Sequence, residues 1–157
     1  MKIYSNLAAL ILLGLMFVLA FFSSWNDSVI FDETAHIGAG YSYITQKDMR
    51  LNPEHPPLIK DIAALPLLFL NLRFPTDTPA WQTSVNGQWD QGGGFLFEFG
   101  NNADAILRLA RLPIMLIGIL LGILLFLWVR SAFGAPTALM TLFLYSLSPT
   151  VIAHSRF

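Results

Sequence analysis

Leu7-Ala8-Ala9-Leu10-Ile11-Leu12-Leu13-Gly14-Leu15-Met16-Phe17-Val18-Leu19-Ala20-Phe21-Phe22 runs without one charged or strongly polar side chain. With its flanks it approaches the roughly 20 residues an α-helix needs to cross the hydrocarbon core of a bilayer. Lys2 precedes it, as in a signal peptide. The run is long for an h-region, however, and Phe21-Phe22-Ser23-Ser24-Trp25 offers a poor small-residue cleavage site. An uncleaved anchor is expected, with Trp25 at interface depth, where an amphipathic ring is well placed.

The rest of the chain agrees. Hydrophobic residues make up 55% and charged residues 12%, where a soluble domain carries about 25% charged residues. Mean hydropathy is +0.59, and the apolar residues come in blocks. A net charge of −1 with no basic run argues against nucleic acid as a partner. The absence of cysteine rules out disulfides, thiolate nucleophiles and Cys-ligated metals.

Two further apolar blocks follow. Pro113 to Val129 is expected as a second span, with Pro113 in its first turn, where a missing N–H costs least. Gly118 and Gly122 form a small-xxx-small pair suited to close helix approach, although glycine is common in membrane helices anyway. After Arg130, Gly134-Ala135-Pro136 makes a tight turn, and Ala138 to Ala153 reads as a third span broken near its end by Pro149. The expected fold is an all-α membrane protein with spans at about 7–24, 112–130 and 136–153 and a loop at 25–107. Lys2 and Arg130 set the orientation, N-terminus cytoplasmic and loop outside. The loop's own Lys47, Arg50, Lys60 and Arg73 oppose a simple positive-inside count, but long loops are less bound by that rule.

Within the loop, Asp61 to Leu72 is apolar and too short to span, and is expected in the membrane surface with short interfacial helices. Thr76 to Gly94 is rich in Pro, Thr, Gln, Asn and Gly and reads as irregular. Ala103 to Arg111 reads as a helix leading into the second span. There is no internal repeat.

Two clusters carry the polar chemistry. Asp32 suits either a helix N-cap, with Glu33 in the first turn, or a general base at the membrane surface. His36 falls one turn on, where it shares a face with Asp32 and suits a hydrogen bond or a metal ion. Asp-Glu-x-x-His is a weak metal signal, since zincin-type motifs need two histidines. In the second cluster, Pro53, Pro56 and Pro57 exclude regular helix and stiffen the backbone around Glu54 and His55, with Lys60 close behind. The pairing of a carboxylate, an imidazole and a cation fits either a site or a rigid solvated turn. Arg108 and Arg111 fit lipid snorkelling as well as a phosphate clamp. Tyr41, Tyr43, Trp81 and Trp89 suit sugar stacking or interfacial anchoring. His154 and Arg156 lie at the outer end of the third span.

Phe31-Asp32-Glu33-Thr34-Ala35-His36-Ile37-Gly38-Ala39-Gly40-Tyr41-Ser42-Tyr43, followed by Leu51-Asn52-Pro53-Glu54-His55-Pro56-Pro57-Leu58-Ile59-Lys60, resembles the first extracytoplasmic loop of bacterial C-type (GT-C) glycosyltransferases. The resemblance is to the phospholipid-carrier-dependent group that includes protein O-mannosyltransferases and aminoarabinose transferases. Arg108-Leu109-Ala110-Arg111-Leu112-Pro113 and Leu147-Ser148-Pro149-Thr150-Val151-Ile152-Ala153-His154-Ser155-Arg156-Phe157 also resemble segments of that family. The likeness covers the N-terminal part of such an enzyme only, since family members carry many more spans.

The resemblance implies an inverting hexosyltransferase of the bacterial inner membrane, with a sugar on polyprenyl phosphate as donor and a hydroxyl acceptor. It implies Asp32 as catalytic base with Glu33 supporting it. Glu54 and His55, with His36, would line the site, and Lys60 with Arg108 or Arg111 would hold the donor phosphate. No cofactor is implied as a requirement, and a divalent metal is an option. The alternative is a non-catalytic membrane protein that binds polyprenyl phosphate or a partner membrane protein.

Overall fold

The computed structural model describes residues 2–156. The Lys2 side chain and Phe157, both used in the sequence reading, lie outside the described residues. Every regular element among those described is helical. They group into two compact units, one of Ser28–Pro113 and one of Met1–Asp27 with Ile114–Phe157.

The apolar unit contains α1 (Lys2–Ser24), most of α6 (Ala103–Phe133), α7 (Ala135–Ser146) and α8 (Pro149–His154). Two helices are long and apolar enough to cross a membrane, Ile3–Ser24 and Ala103–Phe133. The second is one continuous helix, so Pro113 sits inside it and not at its start. The sequence placed Pro113 in a first turn because it read the polar turns before it as a separate lead-in. At about 1.5 Å per residue, 31 residues extend well beyond a ~30 Å core.

The block expected as a third span is two helices. α7 has 12 residues and ends at Ser146. Ser148 then caps α8 by accepting from the Val151 N–H, with Pro149 at its first position. Neither piece reaches spanning length alone. Ala9, Leu13, Phe126, Val129, Ala138 and Leu142 form the unit's core. The two small residues of α6 act within the chain: a Cβ at Gly118 would meet Ser155 and Met16, and one at Gly122 would meet Leu13 and Tyr145. The Tyr145 hydroxyl donates to the Gly118 carbonyl at 2.8 Å.

In the loop unit, α2 (Phe31–Thr45) packs on α3 (Pro57–Ala64) and on α5 (Gly87–Gly93). Glycine makes both contacts possible. A Cβ at Gly40 would collide with the Lys60 backbone, and one at Gly92 with the Thr34 carbonyl. α3 continues into a 3₁₀ turn, Leu65–Phe69, and a short α4 (Pro79–Gln82) precedes α5. α5 runs on into a π-helical turn, Gly94–Glu98. The stretch read as irregular, Thr76 to Gly94, thus holds two helices, and Pro57 starts a helix where the proline cluster was expected to exclude one. Pro57 and Pro79 each stand in a first turn, the one helical place that tolerates the residue. The core is Ile37, Tyr41, Ala64, Leu67, Phe95, Leu96, Ile106, Leu107 and Ala110. Tyr41 stacks on Phe95 at 5.0 Å between ring centroids.

Candidate functional site

The first turn of α2 is fixed by Glu33. Ile30, extended at φ −82° and ψ 160°, is the N-cap, so Asp32 does not cap the helix. The Ile30 N–H donates to Glu33 Oε2 at 3.0 Å, the half of a capping box that a third-position glutamate supplies. Arg111 donates from Nε to Oε1 and from Nη2 to Oε2, each at 2.8 Å. Arg111 Nη2 also reaches the Ser28 carbonyl at 3.0 Å. Both side chains are buried, at 2% and 8% exposure. A bidentate guanidinium–carboxylate pair with its remaining valences filled is the arrangement that tolerates burial. Glu33 therefore holds the start of α2 in place, and Asp32 stands exposed beside it.

The second cluster is organised by Lys60. Its ammonium is buried and donates to the Tyr43 hydroxyl at 2.9 Å, Asn52 O at 2.8 Å, Asn52 Oδ1 at 3.0 Å and His55 O at 2.9 Å. The Tyr43 hydroxyl in turn donates to the Leu51 carbonyl. Burial pushes the Tyr43 hydroxyl up to about 12, with Asp61 and Glu54 adding to it, so it stays a donor. Burial also lowers the Lys60 ammonium from its usual value, against the pull of Glu54 and Asp61. Asn52 adopts the left-handed region at φ 50°, a conformation asparagine tolerates better than most residues. This lock sets Glu54, whose Oε1 accepts from Asn52 Nδ2 and from Gln88 Nε2, both at 3.2 Å.

The two clusters meet at their histidines. The His36 and His55 rings stand edge to face, 5.1 Å between centroids. The His36 pKa is lowered, first by burial, then by His55 and Lys60, while Asp32 and Glu54 act to raise it. Asp32, His36, Glu54, His55 and Lys60 therefore share one electrostatic neighbourhood. Arg108 is placed differently. It is partly exposed and pairs with Asp104 one turn before it at 3.7 Å. No three His, Asp or Glu side chains are gathered as a metal-ligand set among the described residues.

Of the four aromatics suited to sugar stacking or interfacial anchoring, Tyr41, Tyr43 and Trp81 are buried. Trp81 lies under the Arg50 guanidinium at 4.7 Å. Trp89 instead stacks on Phe31 at 4.1 Å. Phe31, Gln88 and Asn52 were missed as site residues. Phe31 had one signal, its place directly before Asp32. A cavity of about 360 Å³ opens among Arg50, Trp81, Ser84 and Gln88; of the residues singled out in the sequence for catalysis or phosphate binding it includes none. No family model, curated protein or solved structure matches the chain.

Proposed function

We propose that the chain supplies the acceptor-activating part of a membrane glycosyltransferase that moves a sugar from polyprenyl phosphate to a hydroxyl at the inner membrane of a bacterium. The observation that carries this is the edge-to-face contact of His36 with His55, which brings the helix start carrying Asp32 to the Lys60-locked turn carrying Glu54. They lie in a unit joined at both ends to helices apolar enough to cross a membrane. In this scheme Asp32 takes the acceptor's proton. The freed oxygen attacks the anomeric carbon, the carbon–oxygen bond to phosphate breaks, and the polyprenyl phosphate leaves with the electron pair. One displacement inverts the centre. Phosphate is a good leaving group, so no strong acid is required behind it.

The cation roles divide. Arg111 is held on Glu33 and Lys60 on four oxygens of its own loop, so both serve by positioning. Arg108, at the surface, is the residue assigned to the donor phosphate. The N-terminus is assigned to the cytoplasm and the loop unit to the outer face. α7 and α8 together form the third crossing, and α3 with its 3₁₀ turn lies in the interface. A longer enzyme would supply the remaining spans and the acceptor site. The alternative is a non-catalytic membrane protein that binds polyprenyl phosphate or a partner membrane protein.

Asp32→Asn tests the base. Asparagine keeps the shape but accepts no proton, and general-base catalysis contributes about 10²–10⁴-fold. In membranes where the chain works together with those remaining spans and the acceptor site, sugar transfer is expected to fall at least about a hundredfold with donor-lipid binding retained. Near-normal transfer in the variant removes Asp32 as the base. Donor binding without transfer in the unaltered protein favours the non-catalytic module.

A further inference from the structure

The exposed ring of Phe31 opens the same helix that carries Asp32. Phe31 is the first residue of α2 and is 75% exposed. Its ring is nonetheless ordered from behind, stacked on Trp89 at 4.1 Å and 28° between planes. Trp89 follows Gln88, whose amide donates to Glu54. Asp32 directly follows the exposed ring on α2, and Glu54, in the turn before α3, accepts from Gln88, the neighbour of Trp89 on α5.

We propose that Phe31, backed by Trp89, is the platform on which the sugar ring of the substrate stacks. This rests on the transfer function proposed above. The argument is one of chemical complementarity. A pyranose has one face of C–H groups with slightly positive hydrogens, which suits the electron-rich face of an aromatic ring. Its edge carries hydroxyls, which suit carboxylate and amide acceptors such as Asp32 and Glu54. An isoprenoid tail would use the ring but not the exposed Asp32 carboxylate next to it. Apolar surface combined with a few placed polar groups is the usual composition of a small-ligand site. Trp89 holds the Phe31 ring before the sugar arrives, which reduces the ordering cost on binding.

The test compares two probes, undecaprenyl phosphate and the same lipid carrying glucose or mannose, bound to the protein in lipid nanodiscs. The unaltered protein is expected to bind a glycosylated lipid more tightly than the bare one. Phe31→Ala is expected to remove roughly three- to tenfold of that preference while binding to the bare lipid stays unchanged, and Phe31→Trp to retain it. The bare-lipid measurement also reports whether the variant is folded. Equal loss for both probes, or no loss for either, overturns the platform and leaves the transfer function standing. So does an unaltered protein with no preference between them. An unaltered protein that binds none of these lipids overturns the transfer function itself, and the platform with it.

Discussion

Arg111 places its guanidinium fork on both oxygens of Glu33, and Lys60 directs its ammonium into four oxygens of the 43–55 region. At the residue scale the sequence named both cations but not these partners. A sequence shows a charge and its neighbours along the chain. Arg111 lies far from Glu33 in sequence, so its partner is visible only once α2 and α6 are packed. Asp32 and His36 were legible together because helix geometry fixes residues four apart on one face. The contact between His36 and His55 was not, since it depends on the packing of α2 against α3. That contact has a pH consequence. The His36 pKa is held below 6.5 by burial first, then by His55 and Lys60, against Asp32 and Glu54. The folded state therefore resists protonating it. Its contribution to stability is complete above the unfolded value and is lost as pH falls through about 6.5 towards the lower folded value. Unfolding midpoints measured from about pH 7.5 to about pH 5.5 should fall in the unaltered protein and fall less in His36→Gln. Identical acid sensitivity in the two would show that His36 carries none of the effect.

At the scale of elements, the apolar blocks were easy to read and the glycines were not. Gly92 lies in a stretch rich in turn-forming residues, yet it is where α5 meets the Thr34 carbonyl of α2. Composition favours a loop there, and close packing decides for a helix. Asp61 to Leu72 was read correctly as too short to span. Its continuation of α3 into a 3₁₀ turn splits its apolar residues into two sets. Ala63, Ala64 and Leu67 are buried, while Leu58, Ile59, Leu65, Leu68 and Phe69 are exposed, Phe69 at 91%. The proposal that this element lies in the membrane interface gives that exposed apolar surface a lipid environment. The chain has no cysteine, so a fluorophore placed through Phe69→Cys is the only thiol label. Brominated lipid should quench it far more strongly than the same label at Ser84→Cys. Equal, weak quenching at both would put this element in water.

At the scale of the whole molecule, the ends of the apolar unit are marked by polar contacts. Arg130 donates to Asn6 Oδ1 at 2.5 Å, joining the last turns of α6 to the first turns of α1. Arg156 meets Asp27 at 2.6 Å and Ser23 at 3.3 Å, joining the segment after α8 to the end of α1. The chain therefore returns from one end of α1 to the other across α7 and α8, with a break at Leu147 and Ser148. The sequence led to one helix interrupted near Pro149 and not to two separate helices, because hydropathy is blind to a serine cap. The central claim is that the unit holding Asp32 and Glu54 faces outward while the α6–α7 turn faces the cytoplasm. Single cysteines at Ser84→Cys and Ser131→Cys, probed on intact cells with a membrane-impermeant maleimide, test it most directly. Both serines are exposed. The account predicts that Ser84→Cys is labelled from outside and Ser131→Cys only after the membrane is opened. Labelling of Ser131→Cys from outside with Ser84→Cys protected would place the site in the cytoplasm and contradict it.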